Sequence, residues 1–247
     1  MANITPIGGS VAFCIIMSKE QFEQASKNLY EKMQADGIVG ILQYKPFSDE
    51  YWSEKIKIKT VFCNYEVIGF TDNEKPDLLT YESFKGFISN KINSKTVRYT
   101  VVFANALLKM LNNYPSDDFS YKNMRDSYWQ INEIYGAVKN SMYMNLRPTG
   151  AKGNKQEIND AHKIITVYKK EIRAFIEALD ADIFVLSSKD SVDLFNVIFD
   201  DINKPLVFKS STKIKETIVF SVKHFSRFNY RHMYKKAQEI CHHWFHK

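Results

Sequence analysis

The sequence predicts an α/β protein, a three-layer α/β/α sandwich whose central, mainly parallel sheet has about four strands. Two observations carry that expectation. From about residue 56 onward, short segments of strand character alternate with segments whose apolar residues recur at helical spacing. Such alternation builds a parallel sheet covered by helices on both faces. The composition, 45% hydrophobic and 25% charged over 247 residues, is that of a globular chain. Aromatic residues, at 14%, supply a large core with some left for a binding face.

Taken in order, the opening "MANITPIGG" reads as a loop or arm. "VAFCIIM" (11–17) is the longest apolar run, too short to span a bilayer, and reads as a buried strand. It lacks the basic start and cleavage site of a signal peptide. A helix follows, with Ser18 as N-cap, Phe22, Ala25, Leu29 and Met33 on one face, and Gly37 as the stop. A strand is predicted from about Ile56 to Tyr65. "YESFKGFISNKI", "VRYTVVFANALLKMLNNY" and "SYKNMRDSYWQINEIYGAVKN" read as helices, and "SMYMN" as the next strand. A polar loop then leads into a long helix with Ala161, Ile164, Ile165, Tyr168, Ile172, Phe175, Ile176 and Leu179 at helical spacing. Strand "DIFVLS", helix "SVDLFNVIF", strand "TIVFSVKH" and a terminal helix from about Tyr230 complete the chain. The length admits one large domain or two small ones. Residues 1–55 read as an N-terminal extension packed on the core, and 56–247 as the α/β/α domain.

Three cysteines, Cys14, Cys63 and Cys241, form no C-x-x-C pair. Neither a disulfide framework nor a zinc ribbon is indicated, and a reducing, cytoplasmic setting fits. The net charge of +6 is uneven. Lys204–Lys247 holds ten basic and two acidic residues, or +8, while the other 203 residues hold 24 and 26, or −2. A basic surface at one end of the chain suits an anionic partner such as nucleic acid, or serves only as a solvated helix face.

In a parallel α/β sheet, ligands sit beyond the carboxyl ends of the strands. There the sequence places Glu66 at the end of the first strand, Asn145 at the end of the second and His224 at the end of the last. A carboxylate orients water or stabilises a cationic transition state. An amide both donates and accepts, so it can read the edge of a base. An imidazole can donate to an oxyanion as a leaving group departs.

In sequence order, "YEVIG" (Tyr65–Gly69), "MNLRPTGAKGN" (Met144–Asn154) and "HFS" (His224–Ser226) resemble the three motifs of the uracil-DNA glycosylase superfamily. They are closest to its iron–sulfur branch, where the motifs run G-E-x-P-G, T-N-V-V-K-C-R-P-P-G-N and H-P-S. The resemblance spans roughly residues 56–235. It departs where Tyr65 stands for Gly, where Val67 and Ile68 lack the first motif's Pro, and where Phe225 replaces the third motif's Pro. The branch's cysteine ligands are also missing, so no iron–sulfur cluster or other cofactor is expected. The resemblance implies base flipping into a strand-end pocket and hydrolysis of an N-glycosidic bond in DNA, as in DNA repair. It implies Glu66 to position the water, His224 to stabilise the departing base, and Asn145 to read the base edge. Phe70, then Tyr65, would stack on the base. Arg147, Ser226 and Arg227 would hold the DNA backbone.

Two rival readings stay open. One is a member of the same fold that has lost catalysis and binds nucleic acid or a modified base. The other is an interaction protein whose basic end docks an acidic partner. No metal site is expected: His242 and His246 have metal-sharing i, i+4 spacing but sit at the chain end. "GAKGNK" lacks P-loop spacing.

Overall fold

The computed structural model describes residues 8–38, 41–64, 77–78, 95–115, 119–127, 129–130, 139, 141–147, 149, 155–227 and 229–246. Among these, helix α1 spans Gly8–Ala35, strand β1 Leu42–Gln43, β2 Thr60–Asn64 and β3 Asp77–Leu78. Helices α2 (Lys95–Asn113) and α3 (Tyr121–Ser127) precede β4 (Met142–Asn145). Then come α4 (Lys155–Val167), α5 (Lys169–Ala178), β5 (Ile183–Ser187) and α6 (Lys189–Ile198). Strands β6 (Ser211–Ile214) and β7 (Thr217–Val222) and helix α7 (Tyr230–Phe245) end the chain.

Among the described residues the main sheet has five strands in the order β4-β2-β5-β7-β6, all parallel except the β6–β7 pair. Strands β2 and β5 are buried along their whole length, as their near-continuous apolar sequences "TVFCN" and "IFVLS" require of inner parallel strands. The chain moves one way from β2 to β4, then back past β2 to β5 and on to β7. Right-handed crossovers in opposite directions must lie on opposite faces of the sheet. Accordingly, α2 covers one face, where Phe62 meets Phe103 at 6.3 Å, and α7 lies on the same face, with Phe220 against His243 at 5.3 Å. On the other face Phe184 of β5 meets Phe195 of α6 at 6.5 Å. Helix α1 packs on α5 through Phe22 and Phe175, ring centroids 5.2 Å apart. The α/β/α expectation therefore holds.

Several local expectations are corrected. Residues 11–17 are helical, because α1 begins at Gly8. A seven-residue apolar run carries no period that separates a buried strand from one part of a helix. Ser18 is consequently mid-helix rather than at the helix start. Gly37 does end the helix: its φ of +74° is a left-handed conformation suited to glycine, and Ile38 N returns to Met33 O at 3.0 Å. The first strand is shorter than expected, starting at Thr60 and ending at Asn64. The last ends at Val222, so His224 lies in the connection beyond it. The long helix is interrupted at Tyr168, which separates α4 from α5. Strand β6 was not anticipated. "STKI" has no apolar run, and it forms a half-exposed antiparallel edge whose Lys213 suits a strand that must not pair further. The helix expected over 81–92 lies outside the described residues.

Candidate functional site

The sheet order reverses between β2 and β5, which makes the gap between their carboxyl ends the topological switch point, the usual ligand crevice of such sheets. The last residues there are Asn64 and Ser187, adjacent in register and both fully buried. They join in one polar network. Ser187 Oγ donates to Asn64 Oδ1, while Asn64 Nδ2 reaches Tyr143 Oη at 3.1 Å and Thr100 Oγ1 at 3.3 Å. Thr100 in turn donates to Thr96 O of α2 at 2.8 Å. Internal side chains thus fill the floor of the crevice and bind β2, β4, β5 and α2 together.

Ser188 follows at once, with φ 95° and ψ 158°. That region is essentially reserved for glycine, and holding another residue there costs about 1–3 kcal/mol. Its neighbours over-determine it. Ser188 N donates to Val222 O at 3.0 Å, and Ser188 Oγ accepts from Ser191 N at 3.2 Å to cap α6. The strained turn lets β5 pass directly into α6.

Asn145 ends β4 beside Asn64 in register and is 3% exposed. Its Nδ2 donates to Tyr44 Oη at 3.0 Å. Its Oδ1 is buried and accepts no hydrogen bond among the described residues, an arrangement that costs free energy unless a ligand or solvent donor satisfies it. Tyr44 belongs to the segment after β1, and its own N donates to Tyr30 Oη of α1 at 2.8 Å. Burial raises the Tyr44 hydroxyl well above its usual pKa, a push only partly offset by the Asn145 hydrogen bond, so it stays neutral. Beyond Tyr44, along α1, lies an open groove of about 470 Å³ whose walls include Glu23, Lys27, Glu31 and Lys45. Charges of both signs make it no basic channel.

Arg147 is 6% exposed, with Nε donating to Thr149 Oγ1 at 2.8 Å. Thr149 forms an antiparallel bridge with Ile41. Arg147 is therefore buried rather than extended into solvent. His224 is half-buried, and its carbonyl accepts from Arg227 N at 2.9 Å, closing a 3₁₀ turn over Phe225–Arg227. Phe225 is fully buried against Phe103 at 5.4 Å, so core packing anchors the turn where the resembled motif has proline. Ser226 lies within that turn, and Arg227 is exposed. Glu66, Tyr65 and Phe70 lie outside the described residues.

Asn145, His224 and Arg227 thus share the carboxyl edge of the sheet. Asn145 and His224 are not adjacent: β2 and β5 stand between β4 and β7, three strand spacings or about 14 Å. The basic end of the chain is divided. Lys213 and Lys215 sit at the β6–β7 turn, at the opposite edge, in ion pairs with Glu216 and Glu177. Exposed Arg227 and Arg231 lie at the carboxyl edge, beside the start of α7. Near the chain end, His242 and His246 have ring centroids 4.3 Å apart, and His246 Nε2 lies 2.5 Å from Tyr114 Oη. No group of three or more metal-ligating side chains occurs among the described residues. No described helix is long and apolar enough to cross a membrane.

Sequence reasoning assigned no role to Asn64, Ser187 or Tyr44. The strand-end rule identifies the first two once the strands are bounded correctly. No sequence signal marks Tyr44, whose role depends on a contact across 101 residues. Compared with known proteins, the chain matches no family model, no curated protein and no solved structure.

Proposed function

We propose that this chain binds a base flipped out of DNA over the carboxyl end of β4 and hydrolyses its N-glycosidic bond, as the motif resemblance implies. The observation that supports this reading best is Asn145. It is a buried amide at a strand end beside the switch point, with an acceptor that no described residue satisfies. A base presenting an N–H edge supplies the missing donor. In this reading Glu66 orients water, and His224, held by the Phe225-anchored turn, faces the departing base from the far side of the crevice. Phe70 or Tyr65 stacks on the base. Arg227 and Ser226 meet phosphate from the exposed turn. Arg147, being buried, holds Thr149 through its Nε.

A second reading, a base-binding member that has lost catalysis, draws support from the switch point itself. The side chains of Asn64, Ser187, Thr100 and Tyr143 fill it, leaving less room between Asn145 and His224 for a reacting sugar. One experiment separates the two. The protein is incubated with a uracil-containing single-stranded oligonucleotide, then treated with alkali to break abasic sites. Strand breaks that vanish in Asn145→Ala and His224→Ala support the enzyme. Binding that weakens with salt, with no breaks over a panel of damaged bases, supports the binder. Neither binding nor breaks at low salt sinks both.

A further inference from the structure

We infer that the outer face of α7 is a track for single-stranded nucleic acid, on which cations hold phosphates and flanking aromatic rings stack on bases. The inference rests on the nucleic-acid partner of the reading above, not on its Asn145 pocket, and names the surface that takes the strand. At about 100° per residue, Arg231, Lys235 and His242 fall within about 40° of one another around α7. They lie opposite Met233, Ala237 and Ile240, which the helix buries. All three are exposed, and the row runs about 16 Å along the helix. Arg227, exposed in the 3₁₀ turn just before α7, extends the row to the carboxyl edge of the sheet. Glu239 does not neutralise it, being bound to Lys236 at 2.5 Å on one side. Among the described residues, neither Arg231 nor Lys235 forms an ion pair. Lys213 and Lys215, at the far edge, are neutralised by Glu216 and Glu177. A helix face that serves only solubility commonly alternates in sign, and this one does not. Rings line the other side of the row. Tyr121, which opens α3, meets Tyr234 edge-on at 6.2 Å and is 41% exposed. Farther along, Tyr114 stacks on Phe245 at 4.1 Å, and the two keep 37% and 39% of their surfaces exposed. Cations alone suit any polyanion, but exposed rings beside them suit unpaired bases, whose faces a duplex hides.

The test follows binding of the full chain to a fluorescein-labelled oligothymidylate by anisotropy over a range of salt. The oligonucleotide contains no uracil, so the readout does not depend on base hydrolysis. Arg231→Gln/Lys235→Gln is expected to make the slope of log K against log salt shallower by about 1.4, or about 0.7 for each phosphate contact removed from a single strand. Lys204→Gln/Lys213→Gln removes the same charge from exposed positions beside β6 and leaves the slope in place. Tyr121→Leu keeps an apolar side chain against Tyr234 but loses the ring face, and weakens binding about fivefold or more. Tyr121→Phe, which keeps the ring, binds as wild type does. Equal slopes in the two double variants, or no binding by wild type at low salt, overturn the inference. So does polyglutamate that competes as well as the oligonucleotide while Tyr121→Leu changes nothing, since the face is then a general polyanion surface. Binding that depends on the row and survives Asn145→Ala, from a protein that makes no strand breaks at uracil, upholds the track while the hydrolase reading fails.

Discussion

Replacing Asn64 by alanine tests whether the switch point is a sealed, self-satisfied network. Asn64, Thr100 and Ser187 are fully buried and Tyr143 is 1% exposed. The substitution leaves the Ser187 hydroxyl without its acceptor in a place water does not reach, at about 1–3 kcal/mol. The void left by the carboxamide adds about 1 kcal/mol. The expected loss is therefore about 2–4 kcal/mol, a large share of a typical total of about 5–15 kcal/mol. Ser187→Ala alone strands the Asn64 Oδ1 acceptor and costs about 1–3 kcal/mol. The double variant removes both partners, so no stranded group remains between them. Its cost falls short of the sum of the two single costs by about 1–2 kcal/mol. Urea titrations at neutral pH, with unchanged slope, measure all four corners of this cycle. Costs that add within about 0.5 kcal/mol refute the coupling. A cost near zero for Asn64→Ala goes further: it means that water already enters the crevice, and the ligand then belongs at the switch point rather than over β4.

Three further outcomes follow from the geometry. Ser188→Gly relieves the positive-φ strain and loses only a few tenths of a kcal/mol of capping, raising stability by about 1 kcal/mol, whereas Ser188→Ala keeps the strain, loses the cap to Ser191 N and lowers it by about 1 kcal/mol. Thermal melts that move both variants the same way contradict the strain. Burial alone would raise the pKa of Glu177, but hydrogen bonds from Lys215 at 2.5 Å and Arg173 at 2.8 Å outweigh it and hold the group below its ordinary 4.5. Its contribution is thus present above that value and lost as pH falls through the depressed one; Glu177→Gln should flatten the acid limb of a stability–pH curve, and an unchanged limb counts against the network. Phe225→Ala, emptying a fully buried ring site against Phe103, should cost about 3–5 kcal/mol, and denaturation that shifts by less than 1 kcal/mol shows that the turn is not anchored in the core.

The layered fold was legible because two of the inner strands, "TVFCN" and "IFVLS", are short apolar runs between helices whose buried residues recur at helical spacing. Phe22, Leu29 and Met33 on α1, and Ile172, Phe175 and Ile176 on α5, are buried as that spacing requires. What failed failed for want of a local signal. Residues 11–17 are equally apolar on every side, so neither period marks them. Strand β6 is polar because one side of it has no neighbour in the sheet among the described residues. At the site, Asn145 was legible as a strand-end amide, while the burial of Arg147 against Thr149 was not, because the sequence cannot show that Ile41 bridges Thr149. The Asn64 network depends on register between β2, β4 and β5, which no single strand encodes.

The place of the N-terminal segment follows from β4. An edge strand leaves one row of backbone groups unpaired and one flank open. Yet all four residues of β4 are buried, as are Leu146, Arg147 and Thr149 beyond it. Covering must come from elsewhere in the chain, and contacts on this flank lead to residues 41–44. Ile41 bridges Thr149, Tyr44 holds Asn145, and Tyr30 holds Tyr44. A little further on, Tyr51 donates to Leu179 O at the end of α5, and Trp52 packs on Phe22 at 5.4 Å. The same residues that seal the sheet edge therefore set the environment of the Asn145 amide. Removing them exposes an apolar strand edge and frees the amide at once. A deletion of this segment cannot serve to isolate a minimal site, whereas the single hydroxyl of Tyr44 can be removed with the cover left in place.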